Sequence, residues 1–550
     1  MSRITRAGVA TVSTAAAIAL LAGCAGPSAS NGDAGSGDPV EGGTLTYLEP
    51  QTWNTLFPGS AGFYPNGGIV NNITDRLLYQ DPETLELEPW IATALPEVND
   101  DATEYTFTLR DDVTYSDGTP LDAENVAKNF DLLGLGDAER KFAISEQVTN
   151  YASSEVVDEN TVTFRFSAPA PGFAQATSAI NAGLVSNDTL DRSSEEFGPG
   201  NATEIIGSGP FVISGEEIGT ELNLEVREDY DWAPASLEHQ GRAYLDGIDY
   251  IVAAEDSVRV GTVTSGQAQI ARTIEAPDEG QFASDGLHLL AAPTNGVNNG
   301  LSFRFRDPAT SELEVRQALI AGIDRQAIID TLFSDNYKLA TGALAASALG
   351  YVDTSEYYEY DQDRAVELLD EAGWVAGSDG IREKDGVRLS LTFNEALPQP
   401  RSREVITLVQ EQLKEIGVEV ELLPGDQATQ DAARPVPGEL QVYHSMVGRA
   451  DFDVIKSQYF SKNRNALLNG YPDASVGDQE LDDLLLAIAS SPTTEGRAEA
   501  SAAAQQRLAE QAYILPFFEE PQVFGYVDAV QGFHTESIGR PSFYSTWLAQ

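Results

Sequence analysis

Cysteine is almost absent. Cys24 is the single one in 550 residues, so the folded chain contains no internal disulfide and runs no dithiol chemistry. Histidine is scarce as well: His239, His288, His444 and His534 lie far apart, none with a partner at metal-ligand spacing. Basic residues are few, 33 Lys and Arg against 86 Asp and Glu, for a formal net charge of −53. A surface of that sign repels phosphate backbones, so no nucleic-acid partner is expected. The chain also lacks G-x-S-x-G, H-E-x-x-H and a phosphate-cradling G-x-x-x-x-G-K followed by Ser or Thr. No catalytic residue, no cofactor and no metal is expected. Beyond the N-terminus no stretch reaches the roughly 18 uninterrupted apolar residues of a membrane span.

What is present begins at the N-terminus. Arg3 and Arg6 form a basic region, and Ala7 to Leu21 is built of small and apolar residues. This is the layout of a secretory signal, too short for a stable span. It ends in Leu21-Ala22-Gly23-Cys24, which is similar to a bacterial lipobox, where the cysteine is lipidated and becomes the new N-terminus. Residues 1–23 are therefore read as a lipoprotein signal peptide, Cys24 as the lipidation site and residues 24–40 as a flexible tether. Two or more acyl chains suffice for stable anchoring. The expected location is outside the cytoplasm, held to the cell membrane by the N-terminal lipid.

A chain of this length needs more than one core. Its first half is strand-rich. Thr44 to Leu48 reads as an opening strand, Tyr105, Phe107 and Leu109 alternate, and Thr161 to Phe166 is another strand. Asp117-Gly118 marks a turn, and Asp122 is a helix N-cap with Leu121 and Val126 as its staple. The second half mixes helices and strands. Val315, Ala318, Leu319, Gly322 and Ile323 follow helical spacing, Asp324 caps the next helix, and Asp361 opens a helix that Gly373 stops. Leu389, Leu391 and Phe393 alternate, Val405 to Ile416 carries a helical stripe, and Val418, Val420 and Leu422 alternate again. That is a βαβ unit with parallel strands.

Seven blocks in order carry a resemblance: Glu41-Gly42-Gly43-Thr44-Leu45, Glu88-Pro89-Trp90-Ile91-Ala92, Tyr105-Thr106-Phe107-Thr108-Leu109-Arg110, Ser116 to Val126, Gly207-Ser208-Gly209-Pro210-Phe211, Val315-Arg316-Gln317-Ala318 with Ile323-Asp324-Arg325, and Leu368 to Trp374. Together they resemble the dipeptide/oligopeptide/nickel-binding family of solute receptors of ABC importers. The resemblance implies an α/β, two-lobed periplasmic-binding-protein-like fold of the large peptide-binding type, with the ligand cleft between the lobes. Lobe I would comprise residues 41–295 and the C-terminal return 522–550, and lobe II residues 296–521. It also implies a non-catalytic monomer that captures a peptide or other small solute and delivers it to ABC permease and ATPase subunits. A metal chelate of the nickel type or an opine-like solute is the alternative ligand. A surface hydrolase or a peptide-sensing receptor is the alternative class.

In peptide-binding members a lobe II aspartate pairs with the ligand's α-ammonium, and Asp451 stands in the matching region. The family's tryptophan is missing there, and Val454 replaces a proline. Asp451 thus either meets a ligand ammonium, or caps a helix or sits in solvent. Arg449 either holds a ligand carboxylate by its guanidinium fork or pairs with a neighbouring acid. Trp53 and Tyr64, in and beyond the loop after the first strand, either wall the ligand site or belong to the core. His444 precedes this region and is otherwise a structural histidine.

Overall fold

The computed structural model describes residues 38–396, 399–463, 468, 475 and 477–549. The expected signal peptide, Cys24 and all but the last residues of the expected tether lie outside the described residues.

Two sheets organise the chain. The first has seven strands in the order Leu287–Ala292, Gln522–Val527, Ile270–Arg272, Thr44–Glu49, Gly247–Val252, Glu221–Val226 and Phe211–Glu217. Its central pair is parallel, with Thr44 opposite Gly247 and Glu49 opposite Val252. The second has six strands in the order Lys338–Leu339, Ile514–Glu519, Gly296–Phe303, Val442–Gly448, Ser390–Asn394 and Glu419–Leu423. The chain passes between the sheets twice, through residues 293–295 and through Glu520 and Pro521. Each crossing is short enough to act as a pivot. A four-stranded antiparallel sheet that includes Glu104–Thr108 and Thr161–Phe166 lies beyond the first large sheet in the same half.

The sequence pattern explains the elements. Tyr105 and Phe107 of the alternating segment are buried, with Thr108 exposed between that face and solvent. Asp122 accepts from Asn125 N, Asp324 from Ala327 N and Asp361 from Arg364 N, so each cap satisfies one of the free N–H groups at its helix start. Gly118 takes φ +82° in the predicted turn, where Thr119 N donates to the Asp117 carboxylate at 2.9 Å. In the βαβ unit Ser390–Asn394 pairs in parallel with Glu419–Leu423, and helix Ser402–Glu415 buries Val405, Ile406, Val409 and Leu413. One detail departs from the spacing. The helix predicted through Ile323 is Leu313–Ala321, and Gly322 closes it. A Cβ at Gly322 would lie 2.7 Å from Ile416 Cδ1, so this glycine admits the end of the neighbouring helix.

One apolar core lies in the first half and includes residues of the C-terminal return, Phe524, Val530, Phe543 and Tyr544. A second joins the helix stripe of Val405, Val409 and Leu413 to Val260, Val263 and Ala271 of the first half. A third packs Phe452, Val454 and Ile455 against Leu481, Leu485 and Leu508. Among the described residues no helix is long and apolar enough to cross a membrane.

Candidate functional site: the cavity between the sheets

Strand ends and loops of both halves leave a cavity of about 1000 Å³. Tyr64, the 141–147 segment and Arg272 to Glu275 line it from the first half, Gln399 to Arg401 and Met446 to Asp451 from the second. Glu520 and Pro521 of one crossing and Glu536 to Ile538 and Arg540 of the C-terminal return complete the wall. Besides the crossings, the halves touch directly. Gln80 and Gln175 each donate a side-chain amide to the Ala450 carbonyl, both at 3.1 Å. Arg449 reaches Glu146 at 3.5 Å.

The strand Val442–Gly448 delivers Arg449 and Asp451 to the wall. There they pair with each other, Nε to Oδ2 at 2.8 Å and Nη2 to Oδ1 at 3.0 Å. The neighbouring-acid reading of Arg449 is the arrangement observed, and the fork that would hold a ligand carboxylate is filled by Asp451. Both side chains keep a small exposed fraction facing the cavity. Asp453, not Asp451, stands at the start of helix Val454–Tyr459, and it pairs with Arg497 at 2.7 Å. Its Oδ1 is buried without a partner, and burial raises its pKa.

Tyr64 lines the cavity. Its ring is sandwiched between two guanidinium groups, Arg272 and Arg540, each 3.9 Å from the ring centroid. Its hydroxyl donates to the Gly539 carbonyl, and burial pushes its pKa up to about 12. Behind the stack Arg272 forms a buried ion pair with Glu49 and donates to Gln522 at 3.1 Å. Trp53 does not line this cavity. Its ring is 5% exposed and belongs to the first apolar core, beside a much smaller space next to Thr52 and Pro65. Leu56 and Ile69 belong to the same core.

His444 is fully buried under the wall. Its ring nitrogens face the Ser402 hydroxyl at 2.8 Å and the Asn299 amide oxygen at 2.7 Å, and burial lowers its pKa to about 4. Asn299 in turn donates to Glu520 at 2.9 Å. Glu520 is the cavity's buried carboxyl, and burial pushes its pKa up to about 7. Glu536 forms a two-pronged pair with buried Arg76, at 2.6 and 2.7 Å. Sequence reasoning missed Arg272, Arg540, Glu520 and Glu536, which are far apart along the chain. One signal was available for Arg272: a guanidinium ending a three-residue strand, Ile270–Arg272, that is otherwise apolar. Among the described residues no cluster of three or more His, Cys, Asp or Glu is arranged to hold a metal ion.

Two sheet-bearing halves joined by two crossings, with a large polar and aromatic cavity between them, define the class of two-lobed solute-binding proteins. The comparisons give the family. Residues 86–465 match the bacterial extracellular solute-binding proteins, family 5, and the chain belongs to that family. "Protein XP55" of Streptomyces lividans is 30% identical over 405 residues, 69% of this chain and 66% of that protein, so the match spans about two thirds of the relative's length. The oligopeptide-binding protein AppA of Bacillus subtilis is 24% identical over 416 residues, 73% of each chain. The AppA structure with a nonapeptide superposes with TM-score 0.76 at 20% identity, covering 93% of this chain and 100% of AppA. NikA from Brucella suis with Fe(III)-EDTA superposes with TM-score 0.77 at 21% identity, covering 92% and 100%.

Proposed function

We propose that this chain is the lipid-anchored receptor of an ABC importer, capturing peptides or related small solutes outside the membrane and passing them to a permease driven by ATPase subunits. The observation that carries this reading is the cavity. At about 1000 Å³ it lies at the upper end of small-molecule sites, more room than a single amino acid needs. It also lies between halves that are joined by two short crossings and share the second apolar core, and a connection through two crossings is the arrangement that lets a bound solute select a closed state. We take the lobes to be residues 41–295 with 522–550, and 296–521. Sheet membership supports that division, since every strand from Gly296 to Glu519 in a large sheet belongs to the second.

Peptide leads because AppA, a relative over most of the chain, carries an oligopeptide-binding name. A metal chelate or opine is the second reading. It is favoured by superposition on proteins solved with Fe(III)-EDTA and with agropinic acid, and by a wall richer in guanidinium groups than the composition leads one to expect. Mass spectrometry of solute co-purified with the protein separates the two. The anchor is tested independently: Cys24→Ser should move the protein from the membrane fraction to the soluble one, and wild type should carry acyl mass. A variant that stays in the membrane contradicts the lipobox reading.

A further inference from the structure

Acids outnumber bases 86 to 33 in this chain, yet away from the cavity buried Arg304, Arg316 and Arg325 have no ion pair among the described residues, so it is the place of an unpaired cation that matters. The cations on the cavity wall lie beside a carboxylate with one exception. Lys141 pairs with Glu195, Arg259 with Asp256, Arg272 with Glu49, Arg449 with Asp451, and Arg401 approaches Glu404 at 3.7 Å. Arg540 forms no ion pair among the described residues; Glu49, which pairs with Arg272, acts on it only at a distance. It is 6% exposed. Its Nη2 donates to the Gly62 carbonyl at 2.7 Å, its Nη1 only weakly to the Ile538 carbonyl at 3.5 Å, and its buried Nε has no partner.

The surroundings hold this cation in place and do not neutralise it. Tyr64 lies between Arg540 and Arg272, so the two guanidinium groups are fixed on opposite faces of one ring. Glu49 answers Arg272, which leaves the three-layer stack with one uncompensated positive charge. Gly67 is what allows the close fit, because a Cβ there would sit 2.7 Å from Arg540 Nε. Burial holds the Arg540 pKa below the usual guanidinium value, yet a guanidinium remains charged at neutral pH. A buried, rigid and unpaired guanidinium on the wall of a ligand cavity is a costly feature for stability alone. It is well matched to a planar anion that arrives with the ligand.

Building on the receptor reading, we infer that the Arg272–Tyr64–Arg540 stack is the subsite for a carboxylate of the solute, with Arg540 as the anchoring residue. A solute without an accessible carboxylate leaves Arg540 buried and unpaired, so the stack selects for anionic or zwitterionic ligands.

The test uses the full chain stripped of bound solute by unfolding and refolding, with thermal shift and calorimetry against tri-alanine, its C-terminal amide and succinate. Wild type, Arg540→Met and Arg540→Lys are compared. The inference expects wild type to be stabilised by succinate and tri-alanine but not by the amide. Affinity for both should fall at least about tenfold in Arg540→Met and less in Arg540→Lys. Unliganded Arg540→Met should melt no lower than wild type, because a charge without a partner has been removed. Stabilisation by succinate alone supports the subsite while counting against peptide as the solute. Equal binding of tri-alanine and its amide overturns the subsite and leaves the peptide reading standing. Failure of both carboxylates to bind wild type, or an Arg540→Met variant that melts lower with unchanged affinity, overturns it too.

Discussion

Arg449 and Asp451 show why a residue's neighbours matter more than its type. Each was a candidate for ligand contact, and each is the other's partner in a two-pronged pair on the cavity wall. Breaking one side of such a mostly buried pair leaves a stranded charge, whereas removing both sides does not. Asp451→Ala should therefore cost about 3 kcal/mol of stability in urea unfolding. Arg449→Met combined with Asp451→Leu should restore most of that loss. A double variant less stable than the single one contradicts the pairing. Glu520 makes a second prediction. Its folded pKa is about 7 against an ordinary value of 4.5. Between those values the folded chain keeps a proton that the unfolded chain has lost, so Glu520 lowers stability as pH rises. His444 acts from the other side. Neutral until about pH 4 when folded, it lowers stability as pH falls from about 6.5 to 4. Glu520→Gln should gain on wild type by roughly 3 kcal/mol between pH 4 and pH 8. A stability difference that stays flat across urea titrations over that range contradicts the assignment.

At the scale of elements much was legible, because the signals are local. The caps at Asp122, Asp324 and Asp361 lie within three residues of the N–H groups they satisfy. The βαβ unit announces itself by a change of period from two to 3.6 and back. The cavity wall was not legible in this way. Tyr64 and Arg272 are 208 residues apart, and Arg540 is 268 further on, so no spacing links them before the chain folds. Asp451 is a candidate because a family pattern points to its neighbourhood, and pairing with a neighbouring acid is one of the two readings of Arg449, but no spacing names Asp451 as that acid. A close approach between elements is equally silent. Gly172, before helix Phe173–Ala176, faces the start of helix Val454–Tyr459, where a Cβ would lie 2.3 Å from Asp453 Oδ2 and 3.2 Å from Arg497 Nη2. Its φ of −82° suits any residue, so proximity alone requires glycine. Gly172→Val should hold these two elements apart and weaken solute affinity about tenfold or more, since part of the binding free energy goes into closure. The melting temperature of the unliganded protein should change little. Unchanged affinity would show that this contact takes no part in closure.

For the whole molecule, the composition and the fold answer different questions. The charge of −53 describes the outside, where it keeps the protein dispersed and away from polyanions. The cavity runs against that trend, with six cationic side chains on its wall. Strand order explains how the chain builds such a wall. The C-terminal strand Gln522–Val527 returns to the first sheet between Ile270–Arg272 and Leu287–Ala292, carrying Glu536 and Arg540 to the cavity beside residues from near the N-terminus. On the proposed reading, the two crossings are the pivots about which the halves close on the solute. The central claim is that solute binding closes this molecule and does nothing else to the solute. Small-angle scattering on the protein stripped of its co-purified solute and then resupplied with it, followed by recovery of the solute, tests this most directly. The account predicts a smaller radius of gyration on resupply and a solute recovered chemically unaltered. An unchanged radius, or recovery of a product in place of the solute, would contradict it.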